Sequence, residues 1–390
     1  MAKKKEEVEN KTAAKMSLAE RKKNLAKVIS GINQKSKEVV CGFINEPDVQ
    51  KQIDIDFIKT PNDSLNEAVG GGFPRGRFTI ISGVQDSGKT SILLETIGRQ
   101  MSKDPDFVAL WCEAEQSLNL DYIISQFHID PERFIFIKQT EAGGEEVLDN
   151  CIDILKSKMV DMFCINSLRA LVSKSEMNKS VGEDTVAAQP RMNTKAFKKI
   201  SAAAYAGNTA VVAVQHLTTQ IGGVMMRDPY VLSGGLFIKY NAMLILDMRK
   251  QSVLDTDPIS KEEGMKIMIS VKKNHVCPRT YPYVKVPHFV IYGEGTEQIL
   301  TTLDQALKQG ILRQTGAWIY WDSQNLKWCG KQAFRQAMKE DPQVLQSIKD
   351  CIHGDIENLS EQEMKELQID PEEDKKEIQF IEEEVPEEDK

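Results

Sequence analysis

Residues 83–90 read Gly83-Val84-Gln85-Asp86-Ser87-Gly88-Lys89-Thr90, and Ser91 follows. The pattern G-x-x-x-x-G-K-[ST] suits one chemistry. Its glycines let successive backbone N–H groups close around a phosphate, its lysine reaches the β- and γ-phosphates, and its threonine hydroxyl can sit on Mg²⁺. The run Gly83–Ser91 is therefore the candidate nucleotide site, with Lys89 and Thr90 facing phosphate and metal. The bland alternative is a glycine-rich turn. All four fixed positions fit, however, and so do the flanks. An apolar run, Phe78–Ser82, precedes the loop, and a helical stretch follows whose N-terminus adds positive dipole.

Attack of water on a γ-phosphate needs a carboxylate to orient and deprotonate that water. The strand-like run 107–113 ends in Glu113-Ala114-Glu115. Strand C-termini in an open α/β sheet face the ligand crevice. Glu115, just past the strand end, is the preferred base; Glu113 is left as a structural or solvated carboxylate. A second apolar strand, Met162–Asn166, ends in an amide where such a strand usually carries an acid. Asn166 can hydrogen-bond a metal-bound water but brings no charge.

These residues need a scaffold that holds strand ends side by side. Strand-like runs at Phe78–Ser82, Phe107–Glu113, Phe134–Lys138, Met162–Asn166, Ala210–Gln215 and Met243–Asp247 alternate with helical stretches at about 89–103, 119–128, 144–158 and 187–206. Continuous apolar strands alternating with helices predict an α/β core with a mostly parallel sheet covered on both faces. Hairpins follow at 266–274 and 286–293, then a small α+β segment in which Trp318, Trp321 and Trp328 are read as core. Ahead of the core, Ser17-x-x-Glu20 resembles a capping box. Leu18, Leu25, Val28, Ile29 and Ile32 follow at helical spacing and predict an amphipathic packing helix. The expected organisation is a Lys/Glu-rich disordered start (1–15), the N-terminal helix and linker (16–60), the core (61–296), a small C-terminal domain (297–360) and an acidic disordered tail (361–390).

The ordered motifs resemble those of the bacterial RecA recombinase family and its phage relatives. Leu65 to Arg77 looks like the family's lead-in to the first core strand. Glu113-Ala114-Glu115 is similar to its D-A-E. Ser233-Gly234-Gly235 with Lys239-Tyr240 and then Leu246-Asp247-Met248-Arg249 is similar to its T-G-G…K-F…L-D-I-R. Tyr292-Gly293-Glu294-Gly295 and Thr315-Gly316-Ala317-Trp318 recur near the end, before an acidic tail. The phosphate loop alone is generic; the ordered set, over about residues 18–350, is specific.

The resemblance implies a RecA-type phosphate-loop fold that binds ATP and Mg²⁺, with Lys89 and Thr90 on phosphate and metal and Glu115 as general base. Tyr122 resembles the family's adenine-stacking tyrosine, with Asn119 near the base. His216 falls at the family's γ-phosphate sensor; without the resemblance it reads as a satisfied strand-end histidine. Lys239 and Tyr240 look like an inter-subunit contact near the nucleotide. Lys272-Lys273-Asn274 falls where the family has two lysines that reach a neighbour's phosphates. Lys272 fits the first, while Lys273 and Asn274 are alternatives for the second.

Two segments resemble the family's DNA-binding loops: about Asn178–Ala188, with Arg191 and Lys198 following, and Leu217–Leu232. The second contains Ile221, Gly222, Gly223, Val224, Met225, Met226 and Arg227. Apolar groups on a glycine-rich loop suit wedging between bases, and cations suit phosphates.

The implied activity is a DNA-dependent ATPase that forms a helical filament on single-stranded DNA and pairs it with homologous duplex DNA in recombination and repair. A single-stranded-DNA-binding protein or recombination mediator is an implied further partner. A weakly hydrolysing filament-modulating paralogue and a hexameric helicase or loader on the same core are the rivals. The net charge of −8 does not oppose a DNA partner. Residues 361–390 hold fourteen acids and four lysines, a net of −10, so residues 1–360 carry +2 and the first thirty carry +5. At 41% hydrophobic the 390-residue chain has material for a core, and no run of eighteen apolar residues exists to cross a membrane. Seven scattered cysteines without a C-x-x-C, and no apolar stretch behind Met1, give the expectation of a cytoplasmic, reduced protein without a disulfide framework or zinc site.

Overall fold

The structure is a computed structural model that describes residues 16–36, 39–180, 183, 188–219, 230–232, 236–251, 264–277 and 284–358. The start, the acidic tail and residues 220–229 and 233–235 lie outside the described residues. The N-terminal part holds helices α1 (Leu18–Ser36), α2 (Pro47–Ile53) and α3 (Asp63–Val69) and short strands β1 (Phe57–Ile58) and β2 (Phe73–Pro74). The core runs β3 (Phe78–Gly83), α4 (Lys89–Lys103), β4 (Ala109–Glu113), α5 (Leu120–Phe127), β5 (Phe134–Lys138), α6 (Gly144–Lys156), β6 (Met162–Asn166), α7 (Lys174–Met177), α8 (Ala188–Gly207), β7 (Ala210–Thr219), β8 (Tyr230–Leu232), α9 (Leu236–Asn241) and β9 (Leu244–Lys250). β10 (Gly264–Asn274), β11 (Lys285–Ile291) and β12 (Gly295–Thr296) complete the large sheet. The chain then forms α10 (Gln298–Lys308), a meander of β13 (Arg313–Thr315), β14 (Trp318–Trp321) and β15 (Leu326–Cys329), and helices α11 (Gly330–Glu340) and α12 (Pro342–Asn358).

The sheet order is β12-β11-β10-β9-β3-β7-β6-β4-β5, with β8 paired to β7. From β9 to β5 every neighbouring pair is parallel, and β10 to β12 extend it antiparallel. The inner parallel strands β3, β4 and β6 are buried on both faces because their side chains alternate between two cores, whereas the edge strand β5 leaves Phe136 exposed. Ile81, Trp111, Cys164 and Val212 meet Ile92, Leu93, Ile97 and Phe127 of α4 and α5. Phe78, Ile80, Leu110 and Phe163 meet Leu148, Leu155, Phe197 and Ile200 of α6 and α8. A third core joins Phe289 and Ile291 of β11 to α10, β14, α11 and α12.

Three expectations change. The predicted strand at 107–113 begins at Ala109, because Phe107 closes a turn on Asp104 O. The predicted loop 217–232 is a ribbon at both ends: β7 runs on to Thr219 and pairs antiparallel with β8, Leu217 opposite Leu232 and Thr219 opposite Tyr230. Alternating and β-branched residues there favour strand over coil. Trp321 is buried and Trp328 lies edge-on to Phe334, but Trp318 is 40% exposed beside Lys327.

Helix α1 forms where expected, with Glu20 N donating to Ser17 Oγ and Ser17 N to Glu20 Oε2. It is not a packing helix among the described residues. None of its residues is buried, and Leu18, Leu25, Val28 and Ile32 stay exposed because no described element of the same chain covers them. Among the described residues no helix is long and apolar enough to cross a membrane.

Candidate functional site

Strands β3, β4 and β6 end at one edge beside His216 of β7, and a cleft of about 370 Å³ lies there. The phosphate loop forms one wall: Gln85, Asp86, Ser87, Gly88, Lys89, Thr90 and Ser91. Glu115, Ser117, Leu118, Tyr122, Asn166, Val214 and His216 form the rest, with Leu94. The parallel register thus gathers Lys89, Glu115, Asn166 and His216, far apart in sequence, around one cavity.

Local chemistry shapes the loop. Gly88 has φ +76° and caps the start of α4 without a side chain. A Cβ on Gly83 would collide with Met248 O and come within 2.6 Å of Ser87 Oγ, so the strand-to-loop turn tolerates only glycine. Lys89 is buried and donates from Nζ to Val84 O (2.6 Å) and Ser87 Oγ (3.3 Å), tying the loop across itself. Burial lowers its pKa, opposed by the charges of Glu115 and Asp86. A glycine-bounded loop with an ammonium at its base, leading into a helix N-terminus, fits a triphosphate. Thr90 stands on the cleft wall where its hydroxyl would serve a divalent cation, and Asn166 Oδ1, buried and without a partner, is a further acceptor there. The residues present fit a Mg²⁺-nucleotide.

The two acids of Glu113-Ala114-Glu115 have different surroundings. Glu113 is buried and accepts from Trp111 Nε1, Glu115 N, Ser117 N, Ser117 Oγ and Asn166 Nδ2. Glu115 lines the cleft, and its Oε1 lies 2.6 Å from His216 Nε2. Tyr122 is half-exposed on the cleft rim, edge-on to Phe127 at 5.4 Å. Asn119 does not line the cleft; its Oδ1 accepts from Tyr122 N (3.0 Å) and caps the helix that carries the tyrosine.

The remaining candidates among the described residues do not line this cleft. Arg191 lines a separate groove of about 430 Å³ among α6, α7 and α8, with Glu145, Asp149, Lys179, Lys195 and Lys199. Lys198 sits on the same helix α8. Ile221, Gly222, Gly223, Val224, Met225, Met226 and Arg227 lie outside the described residues. Tyr240 is 74% exposed on α9 beside Lys239. Lys272 is the extra residue of a bulge in β10, where Val271 opposes Leu246 and Lys273 opposes Ile245; its Nζ lies 3.9 Å from Asp247 Oδ2. Lys273 Nζ caps α9 by donating to Lys239 O and Tyr240 O, both at 3.0 Å, and Asn274 Oδ1 accepts from Val276 N and Cys277 N. Sequence reading missed Ser117, Leu118, Leu94 and Val214. For Ser117 the available signal was its place just past the carboxylate pair.

Comparison with known proteins agrees with this geometry. The family described as RecA N-terminal domain matches residues 23–297. A protein RecA of Aquifex pyrophilus is 28% identical over 333 residues, 85% of this chain and 91% of its own. Proteins RecA of Saccharopolyspora erythraea and Bartonella henselae are each 30% identical, over 76% and 78% of this chain and 82% and 84% of theirs. With the phosphate loop, the mostly parallel sheet and the length of the match in agreement, the chain belongs to the RecA family.

Proposed function

We propose that the chain is an ATP-dependent DNA recombinase that assembles as a helical filament on single-stranded DNA, pairs it with homologous duplex and exchanges strands. Family membership supports ATP hydrolysis. The observation that carries the recombinase reading is the Glu115–His216 hydrogen bond. It joins a carboxylate able to deprotonate water to the strand that leads directly into segment 217–232, the candidate DNA contact.

In this reading the backbone amides of Gly83–Ser91 and the Lys89 ammonium hold the phosphates, and Thr90 with Asn166 faces the metal. Mg²⁺ supplies charge neutralisation on the phosphoryl group. Glu115 accepts the proton of the attacking water. His216, tethered to Glu115, passes the state of the site along β7. Tyr122 flanks the base, positioned by Asn119. Arg191 and Lys198 serve DNA phosphates, and 221–227 serve the bases. The uncovered apolar stripe of α1, the half-buried Lys239 and the exposed Tyr240 and Lys272 support assembly of copies head to tail. A heterologous contact of that kind gives a filament where the rotation does not close.

The engagement of Lys273 and Asn274 within their own chain favours a second reading, a weakly hydrolysing relative that modulates filaments. Of that trio it leaves only Lys272 to reach a neighbour's phosphates. Electron microscopy of the chain with single-stranded DNA and a non-hydrolysable ATP analogue, paired with DNA-stimulated hydrolysis and strand exchange, separates the readings. Open filaments with turnover and exchange are expected. Filaments without turnover favour the second reading, and closed rings overturn both in favour of a helicase or loader.

A further inference from the structure

Glu113 and Asn166 face each other across the parallel β4·β6 pair as direct register partners. Asn166 Nδ2 lies 3.3 Å from Glu113 Oε1 and 3.2 Å from Oε2. A carboxylate only accepts, so the amide must turn its NH₂ toward Glu113. Its carbonyl is then the branch left over. Asn166 Oδ1 has no partner although the residue is completely buried, and Asn166 lines the phosphate cleft with Lys89 and Thr90. Leaving a buried acceptor unpaired is unfavourable, so it points to a donor brought by a ligand. Glu113 itself cannot turn into the cleft without abandoning Trp111 Nε1 (2.8 Å) and Glu115 N (3.0 Å).

We propose that Glu113 is a positioning residue that locks the Asn166 amide with Oδ1 toward the cleft, where it accepts from the hydration shell of a nucleotide-bound divalent cation. The inference rests on reading residues 83–91 as the nucleotide site. Under it, the negative charge of this strand end is kept one strand away, on Glu113, and a neutral carbonyl meets the cation's water. Positions 113 and 166 are thereby coupled. An acid at both would set two carboxylates about 3 Å apart, which forces a proton onto one or the pair apart. With glutamate at 113 in this chain, the amide at 166 avoids that repulsion and donates instead.

The test titrates MgCl₂ into the full chain with a fluorescent non-hydrolysable ATP analogue and reads the half-saturating Mg²⁺ concentration, with thermal unfolding and circular dichroism as fold controls. Glu113→Gln frees the Asn166 amide to rotate and is expected to raise the Mg²⁺ midpoint by about tenfold, the size seen when the support of a metal site is removed, while binding of the analogue without Mg²⁺ stays unchanged. Asn166→Asp alone is expected to lower the melting temperature. The double variant Glu113→Gln with Asn166→Asp swaps the two groups, so that an amide on β4 donates to a carboxylate on β6. It is expected to restore both the melting temperature and the midpoint. A wild-type midpoint in Glu113→Gln overturns the proposal, as does a folded double variant that binds Mg²⁺-nucleotide no better than Glu113→Gln. Should Glu113→Gln not fold, a folded Asn166→Ala with a wild-type midpoint overturns it equally. A wild-type chain that binds no nucleotide at any Mg²⁺ concentration removes the underlying site reading, and this inference with it.

Discussion

His216 Nε2 and Glu115 Oε1 lie 2.6 Å apart although 101 residues separate them in sequence. Strand β6 runs between the strands that carry them, so the bond bridges the sheet edge at the end that holds Asn166. A carboxylate held by a histidine at the start of a ribbon is well placed to link proton transfer to what happens along that ribbon.

Glu115→Gln should reduce ATP hydrolysis by about 10²–10⁴-fold, the usual contribution of a general base, while ATP-dependent filaments still form. His216→Ala should leave nucleotide binding within about twofold but abolish the stimulation of hydrolysis by single-stranded DNA. Steady-state hydrolysis with and without DNA checks both. Unchanged turnover in Glu115→Gln removes Glu115 as the base, and intact DNA stimulation in His216→Ala removes His216 as the link.

The position of Tyr122 relative to the phosphate loop depends on how closely α4 and α5 approach. A Cβ on Gly98 of α4 would collide with Phe127 O at the end of α5, a backbone atom that cannot rotate away. Gly98→Ala should therefore destabilise the chain by about 1–3 kcal/mol, as overpacking does, although alanine is the better helix former. Urea unfolding measures the loss, and a shift in nucleotide affinity in the folded variant reports the displaced tyrosine. An unchanged midpoint in urea would show that the helices separate without cost.

His288 supplies a pH dependence whose sign follows from its partners. Asn62 Oδ1 accepts from Leu65 N, which turns the Asn62 amide nitrogen toward Pro287 O (3.0 Å) and His288 Nδ1 (3.3 Å). His288 Nδ1 must therefore accept, so the ring is neutral. Burial first, and the Arg99 charge second, push its pKa from 6.5 down to about 4. Between these values the unfolded chain binds a proton that the folded chain does not, so this group's contribution is full above pH 6.5 and is lost as pH falls toward 4. The loss is about 3 kcal/mol at 1.36 kcal/mol per unit. His288→Gln should flatten the stability profile over that window relative to the wild type. Parallel profiles would mean that His288 titrates normally in the folded state.

The parallel core was legible because its strands read as apolar runs, the inner ones buried on both faces; Met162–Asn166 inside the sheet and Phe134–Lys138 at its half-exposed edge agree to the residue with the expected limits. The phosphate loop was legible because its geometry needs glycine at Gly83 and Gly88. What escaped depends on contacts between distant residues. Composition cannot tell that Glu113 is enclosed by Trp111, Ser117 and Asn166 while Glu115 meets His216. Nor can it tell that α1 finds no cover among the described residues of its own chain, or that the bulge at Lys272 gives Lys273 to the end of α9. A strand end such as Thr218–Thr219 reads as loop until its partner in β8 is known.

The charge polarity gives the last prediction. With −10 in residues 361–390 and +2 in the remainder, the tail is expected to compete with DNA for any surface that attracts phosphates. Its effect must weaken with salt, because exposed charges more than about 10 Å apart are screened at about 0.1 M. Truncation after residue 360 should therefore tighten duplex DNA binding, with the largest gain at low salt and low Mg²⁺ and little gain at high salt. Fluorescence anisotropy of a labelled duplex, titrated with full-length and truncated chains across a salt series, measures the difference. If the two chains bind equally at every salt concentration, the acidic residues serve solubility and the DNA surface is not masked by them.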